Sequence, residues 1–187
     1  DGDWSMTIFD QPADVKGTTF LTYSHGLKPD DQWLYLPALK RVKRISSRNK
    51  SGPFMGSEFA FEDMSSFEVE KYSYKFEREE ACGELTCLVS EWIPQYDNSG
   101  YSRSVIWHDT TEYRMQKIMF YGRRGKLLKT LVPDDYQLYN GRFWRPLKLE
   151  MTNHKTGKST LLLFKDYEFG VGLSERDFDQ SALKSAK

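Results

Sequence analysis

Three histidines, two cysteines and a net charge of zero leave this 187-residue chain short of most reactive chemistry. His25, His108 and His154 each lie in or beside a predicted turn. His108 adjoins Asp109, but neighbours on a strand point to opposite faces, so the two make no base-and-orienter pair. They read instead as a solvated strand end. Nucleophilic catalysis therefore fails on inventory, and neither an enzyme nor a cofactor is expected. Cys82 and Cys87 bracket "GELT" at what reads as a hairpin tip. They either bridge in an oxidising compartment or stay as thiols. A zinc site would need further Cys or His at ligand spacing, and none is near, so no metal site is expected. Phosphate-cradling glycine loops and an HExxH pattern are also lacking. Lys plus Arg equals Asp plus Glu at 27 each, so no global field draws the chain to nucleic acid or a membrane. The longest purely aliphatic stretch is Leu161 to Leu163, far too short to cross a bilayer as a helix. A basic start followed by an apolar signal segment is missing too. Because the first residues, "DGDWSMTIFD", already alternate like a strand, the expectation is of a trimmed chain whose natural N-terminal segment precedes Asp1.

What is abundant is aromatic: 15% of residues are Phe, Tyr or Trp, which favours sheet or an apolar binding surface over a helical bundle. From "RSVIWHD" onward the chain reads as one meander of alternating strands separated by short turns, with Asn140-Gly141 as the strongest hairpin signal, and "SFEVEKYSYKFERE" and "ELTCLVSEWIP" form a further pair around the cysteine tip. Upstream, "GTTFLTYSHG" and "DQWLYLPALKRVKRIS" supply two or three more strands. Asp30-Asp31 and Asp134-Asp135 read as turn residues rather than metal ligands or an acid/base pair. Helix signals are sparse. "GSEFAFEDMSS" suggests one short turn, and "LSERDFDQSALKSA" has helical spacing with a Ser174 cap and Asp177 at its N3 position. Strands of more than ten residues must twist and bend, with Pro133 and Pro146 as expected bulge or edge sites. A single mostly antiparallel domain of about ten strands over residues 1–187 follows. Its long curved sheet has a hollow face that something must cover.

Residues 31–65 carry the two features that composition does not explain. Lys40, Arg41, Lys43, Arg44, Arg48 and Lys50 crowd a short stretch, and Glu58, Glu62, Asp63, Glu68 and Glu70 follow closely. Self-neutralisation, or a docking patch for an anionic partner or headgroup, fits better than nucleic acid, which is not an expected partner. Lys40, Arg41, Lys43 and Arg44 are the expected partner-binding residues. "GPFMGSEFAFEDM" is either a satellite core folded over the sheet or an adaptable apolar lid over a lipid-like ligand.

"ADVKGTTFLTY", "DQWLYLPALKRVKRISS", "NKSGPFMGSEFAFEDM", "NSGYSRSVIW" and "MTNHKTGKSTLLLF" together resemble the outer-membrane lipoprotein-sorting-like proteins of Gram-negative bacteria, in the LolA/LolB-like superfamily. The likeness runs from Asp1 to about Phe178. It implies an incomplete, strongly curved antiparallel β-barrel, a LolA-like half-barrel with few short helices, in the periplasm or associated with the outer membrane. It implies as well a carrier or chaperone that holds acyl chains of lipoproteins, or another hydrophobic cargo, in its hollow. The branch accompanies transporters of the resistance-nodulation-division type. The alternative is therefore a non-transporting module that docks on such a transporter, or on an anionic membrane surface, through the basic strand.

Alternation nominates the lining. Phe143, Leu147, Leu149 and Met151 share one face of their strand, as do Tyr72, Tyr74 and Phe76 on theirs and Val105 and Trp107 on theirs. These rows are expected to line the hollow, with Phe54, Met55, Phe59 and Phe61 in the covering segment.

Overall fold

The computed structural model describes residues 3–184. Among them eleven strands follow in order: β1 Trp4–Ile8, β2 Thr19–Tyr23, β3 Asp31–Leu36, β4 Arg41–Ile45, β5 Tyr72–Cys82, β6 Leu85–Pro94, β7 Tyr101–Asp109, β8 Met115–Gly122, β9 Leu127–Tyr139, β10 Phe143–Asn153 and β11 Ser159–Leu163. Strands β1 to β4 form one antiparallel sheet and β5 to β11 a second, each in chain order. Neither closes on itself, so the architecture is the incomplete barrel expected.

Local sequence explains the meander. Asn140 and Gly141 both take positive φ (51° and 63°), and the Arg142 N–H closes the turn on the Tyr139 carbonyl at 3.0 Å. Gly83, at φ 67°, turns the chain between β5 and β6 in the same way. The long strands bend where their registers slip, between Phe76 and Arg78 in β5 and between Trp107 and His108 in β7. The prolines mark no register slip and stand instead at edge positions, Pro133 past the β8 pairing of β9 and Pro146 past the β11 pairing of β10. Pro133 is buried opposite Leu149, and Pro146 pairs with Tyr136. Strand β8 pairs with β9 only as far as Leu131, so the amide that Pro133 lacks is not required by that neighbour. The local distortion falls instead on Asp135, at φ 53° inside β9, so the second Asp pair is not a turn between strands.

Expected helices shrink to 3₁₀ turns. The first is Phe61–Met64. At the C-terminus, Asp177 accepts from both the N–H and the hydroxyl of Ser174, at 2.6 and 2.9 Å, as its spacing suggested. The turn Glu175–Phe178 nevertheless stops at Asp179, which is extended (φ −68°, ψ 147°) and accepts the Ser181 N–H at 2.7 Å. A second turn, Ala182–Lys184, follows. Ser185 and Ala186, included in the predicted helix, lie outside the described residues, as do Asp1 and Gly2 of the first predicted strand. Leu183, only 1% exposed, caps Leu21 and Trp33 on the outer face of the small sheet.

The inner face of that sheet meets the large one in a shared core. Phe20, Leu34 and Ile45 pack with Ile106, Ile118, Phe120, Leu131 and Met151. A buried polar clasp joins the same sheets at one end. Lys71, just before β5, donates to Ser24 at 2.6 Å and to Asp30 at 3.0 Å and lies 3.4 Å from Glu68.

Cys82 and Cys87 are bonded across the β5–β6 tip, which resolves the two readings that the sequence left open. Closing so short a loop restricts the unfolded chain by about 2 kcal/mol. A Cys82→Ala/Cys87→Ala variant should therefore lose about 2 kcal/mol in urea unfolding, with an unchanged m-value. An unchanged midpoint would show that the bridge contributes nothing to stability.

Candidate functional site

Between β4 and β5 the chain does not pair with either sheet as a strand. It covers the interior with the turns Ser47–Asn49, Phe61–Met64 and Val69–Lys71. Its backbone bonds are largely its own: Phe54 N–H to the Phe59 carbonyl at 2.7 Å, Phe61 N–H to Gly52 at 3.2 Å and Glu62 N–H to Lys50 at 2.9 Å. Met55 and Gly56, at φ 49° and 73°, turn the tip. The loop thereby drives Phe54 and Phe59, 4% and 2% exposed, between the sheets. Phe54 stands 5.1 Å from Phe20 and 5.2 Å from Phe61, ring centroid to centroid. Met55, Phe61, Met64 and Leu149 close around them.

The predicted lining residues do not form one surface. Phe54, Met55, Phe59, Phe61, Leu149 and Met151 meet in the interior. Val105 and Trp107 do not. They pack with Cys87 and Val89 on the opposite face of the large sheet, and it is Ile106 that points inward. Both faces of "SVIW" are apolar, so alternation alone could not choose between them. Tyr72 and Tyr74 share the inward face through Trp92, which pairs with Tyr74 and with Ser104. Tyr72 is half-buried, its hydroxyl 3.3 Å from that of Tyr96, whereas Tyr74 and Phe76 lie beyond the covered core, 44% and 61% exposed. Phe143 stacks on Phe169 at 4.5 Å, away from the covering loop, and Leu147 is half-buried beside the bend in β9. Phe20, Leu34 and Ile45 went unpredicted, because "TTFLTY" and "DQWLYL" set apolar residues side by side and alternation does not choose the inward one.

Sequence reasoning also missed a polar seam that fastens the loop to the rim. Glu62 accepts from Gly100 N–H at 2.7 Å and from the Ser99 hydroxyl at 2.9 Å. Asp63 accepts from its own Ala60 N–H at 2.6 Å and from the Tyr101 hydroxyl at 2.7 Å, and Lys129 Nζ stands 3.4 Å away. Lys129 also donates to the Tyr101 hydroxyl at 3.2 Å. A Cβ at residue 100 would come within 2.8 Å of both the Glu62 carboxylate and Ser51, so glycine permits the contact. Burial pushes both carboxyls up from their ordinary values, for Glu62 with the help of the neighbouring Asp63 charge, and outweighs the opposing hydrogen bonds together with Lys50 beside Glu62 and Lys129 beside Asp63. Lys50 is buried as well, its ammonium 3.9 Å from the Tyr96 ring centroid, and desolvation lowers its pKa. It does not belong to the exposed basic cluster in which the sequence placed it.

Lys40, Arg41, Lys43 and Arg44 remain exposed on and beside β4, whose second edge is unpaired among the described residues. Arg44 is paired with Asp31. Glu62, Asp63 and Glu68 are engaged with Ser99, Lys129 and Lys71 rather than with this strand.

His108 and Asp109 are not a solvated strand end. Asp109 is fully buried, and His108 is half-buried against Trp92, 5.8 Å between ring centroids. Among the described residues no three His, Cys, Asp or Glu side chains group as a metal site, and no helix is long and apolar enough to cross a membrane.

An incomplete antiparallel barrel of this kind is the LolA type of fold. The LolA superfamily protein NE2245 from Nitrosomonas europaea shares it with a TM-score of 0.75 at 21% identity, over 96% of this chain and 78% of that one. The chain belongs to the outer-membrane lipoprotein-sorting-like family that includes the DUF1329 proteins. An outer membrane lipoprotein-sorting protein domain from Vibrio parahaemolyticus is 56% identical, with a TM-score of 0.94 over 98% of this chain and 78% of that one. A DUF1329 family protein from Desulfovibrio piger is 32% identical, with a TM-score of 0.90 over 96% and 76%. A family model described as that of an uncharacterized-protein-like group matches residues 1–185. No curated protein matches.

Proposed function

We propose that the protein is a periplasmic carrier for the acyl chains of a lipoprotein or another lipid, and that the loop over residues 50–64 is a stopper the cargo displaces. The observation that carries this reading is the loop's construction. It fills the interior with Phe54 and Phe59, yet its backbone is bonded mainly to itself. Burying two phenyl rings gains about 3–6 kcal/mol, and an acyl chain recovers about 0.8 kcal/mol per methylene in the same space. A chain of eight or so methylenes therefore matches the rings it expels. The family and the names of its relatives support the same class of cargo. No reactive constellation among the described residues suggests catalysis instead.

Titration with a fluorescent long-chain fatty acid should show saturable one-to-one binding. Leu149→Arg, which places an unpaired charge beside the stopper, should fold and bind more weakly. Absence of saturable binding to wild type would remove the carrier reading.

The exposed cations Lys40, Arg41 and Lys43 on and beside β4 support a second role, docking on an anionic membrane surface or on a transporter of the resistance-nodulation-division type. Reversing Lys40, Arg41 and Lys43 to Glu should abolish low-salt binding to vesicles rich in phosphatidylglycerol. Equal vesicle binding by the reversed variant would leave the strand a solvated face.

A further inference from the structure

The carboxylates of Glu62 and Asp63 lie where a bound anion would lie. Ser99 hydroxyl and Gly100 N–H converge on one, and Tyr101 hydroxyl and the Lys129 ammonium on the other. All four donors come from β7, β9 or the turn entering β7, not from the loop that carries the carboxylates. Beside them opens a cleft of about 290 Å³ lined by Ser51, Gly100, Tyr101, Arg123 and Lys129. Lys129 is 8% exposed and has three N–H donors, two of which have described acceptors, Asp63 and Tyr101. Arg123 crosses the outer end, donating to the Ser99 and Asn98 carbonyls at 2.8 and 3.1 Å. When the stopper leaves, its two carboxylates leave with it. Half-buried donors and a buried ammonium then face the emptied rim, and leaving them unsatisfied is costly. Cargo that restores the balance must bring an anion on the end of its acyl chain.

We propose that these donors form the headgroup subsite of the carrier, and that it takes a phosphate diester attached to an acyl chain. The covering loop fills this subsite with its own carboxylates while no cargo is bound. The inference rests on the carrier reading and adds the chemical class of the ligand.

The test compares two ligands with the same chain, 1-lauroyl lysophosphatidylglycerol and neutral 1-lauroylglycerol, each displacing a neutral fluorescent acyl probe below its micelle concentration. The wild type should prefer the phosphate ligand by about tenfold, the worth of one charge-assisted hydrogen bond. Lys129→Met combined with Asp63→Asn, which leaves no lone buried carboxylate at that position, should still bind 1-lauroylglycerol and lose the preference. Glycerol phosphate without a chain should fail to displace the probe, because nothing moves the loop. Equal affinity of the wild type for both ligands overturns the subsite while the carrier stands. Displacement by glycerol phosphate alone overturns the assignment to a lipid. If the probe and both ligands all fail to bind, the carrier reading falls together with the subsite.

Discussion

Replacing Asp109 with Ala should destabilise the protein by about 3–5 kcal/mol and lower its melting temperature by roughly 10 °C. The carboxylate is fully buried at the end of β7 and accepts from Thr111 N–H and hydroxyl, Glu112 N–H, Arg114 N–H and Nε, and Gln116 Nε2, at 2.7 to 3.1 Å. It thus organises the whole turn into β8, including Tyr113 in its left-handed conformation. Alanine would leave the Arg114 guanidinium and three backbone amides without their acceptor at once. Those hydrogen bonds hold the Asp109 carboxyl well below the usual carboxylate range, although burial opposes them. A depressed folded value means that the native state binds fewer protons than the unfolded one. The contribution is therefore complete above about pH 4, where the unfolded carboxyl ionises, and is lost as acid titrates the folded group. Thermal melts at pH 7 and pH 3 check both points. The gap between wild type and variant should narrow at pH 3 but stay open, because the folded carboxyl is titrated only at still lower pH. A variant within 2 °C of wild type at pH 7 would mean that the turn is held by something else.

Phe59→Ala should cost about 3–5 kcal/mol of global stability and at the same time tighten binding of a long acyl probe by tenfold or more. The two effects share one cause. The ring is 2% exposed in the shared core, so truncating it weakens the closed state. If the open state is the one that binds cargo, weakening the closed state raises the competent fraction and hence the apparent affinity. A permanently packed core predicts the first effect without the second. Urea unfolding and probe titration on the same preparation distinguish the two.

The succession of antiparallel strands and the hairpin turns were legible because each depends on local alternation and on Gly or Asn at a positive φ, whereas the incomplete barrel came from the resemblance to the family. The inward face of β7 was not legible, because Val105 and Trp107 compete with Ile106 and only the pairing with β6 and β8 decides. Likewise Lys50 read as one more surface cation, and nothing local shows that it lies over Tyr96. The stopper was legible as an apolar segment in "GPFMGSEFAFEDM" but not as a filler of the interior. Its rim contacts, Glu62 to Gly100 and Asp63 to Tyr101, span 38 residues each and leave no mark at either end. Asp109 illustrates the same blindness: its acceptors' partners lie just ahead in sequence, but its burial is set by the sheet.

Hydrogen exchange over residues 52–62, measured with and without bound 1-lauroyl lysophosphatidylglycerol, tests the displaceable stopper most directly. The amides of Phe54, Phe61 and Glu62 are bonded within the loop and Ala60 to Asp63, whereas those of β7 to β10 belong to the sheet. A displaceable stopper requires that the ligand speed exchange at these loop amides while the sheet amides stay protected or slow further. Saturating ligand that leaves the loop as protected as before would contradict it, and would place the cargo outside the interior.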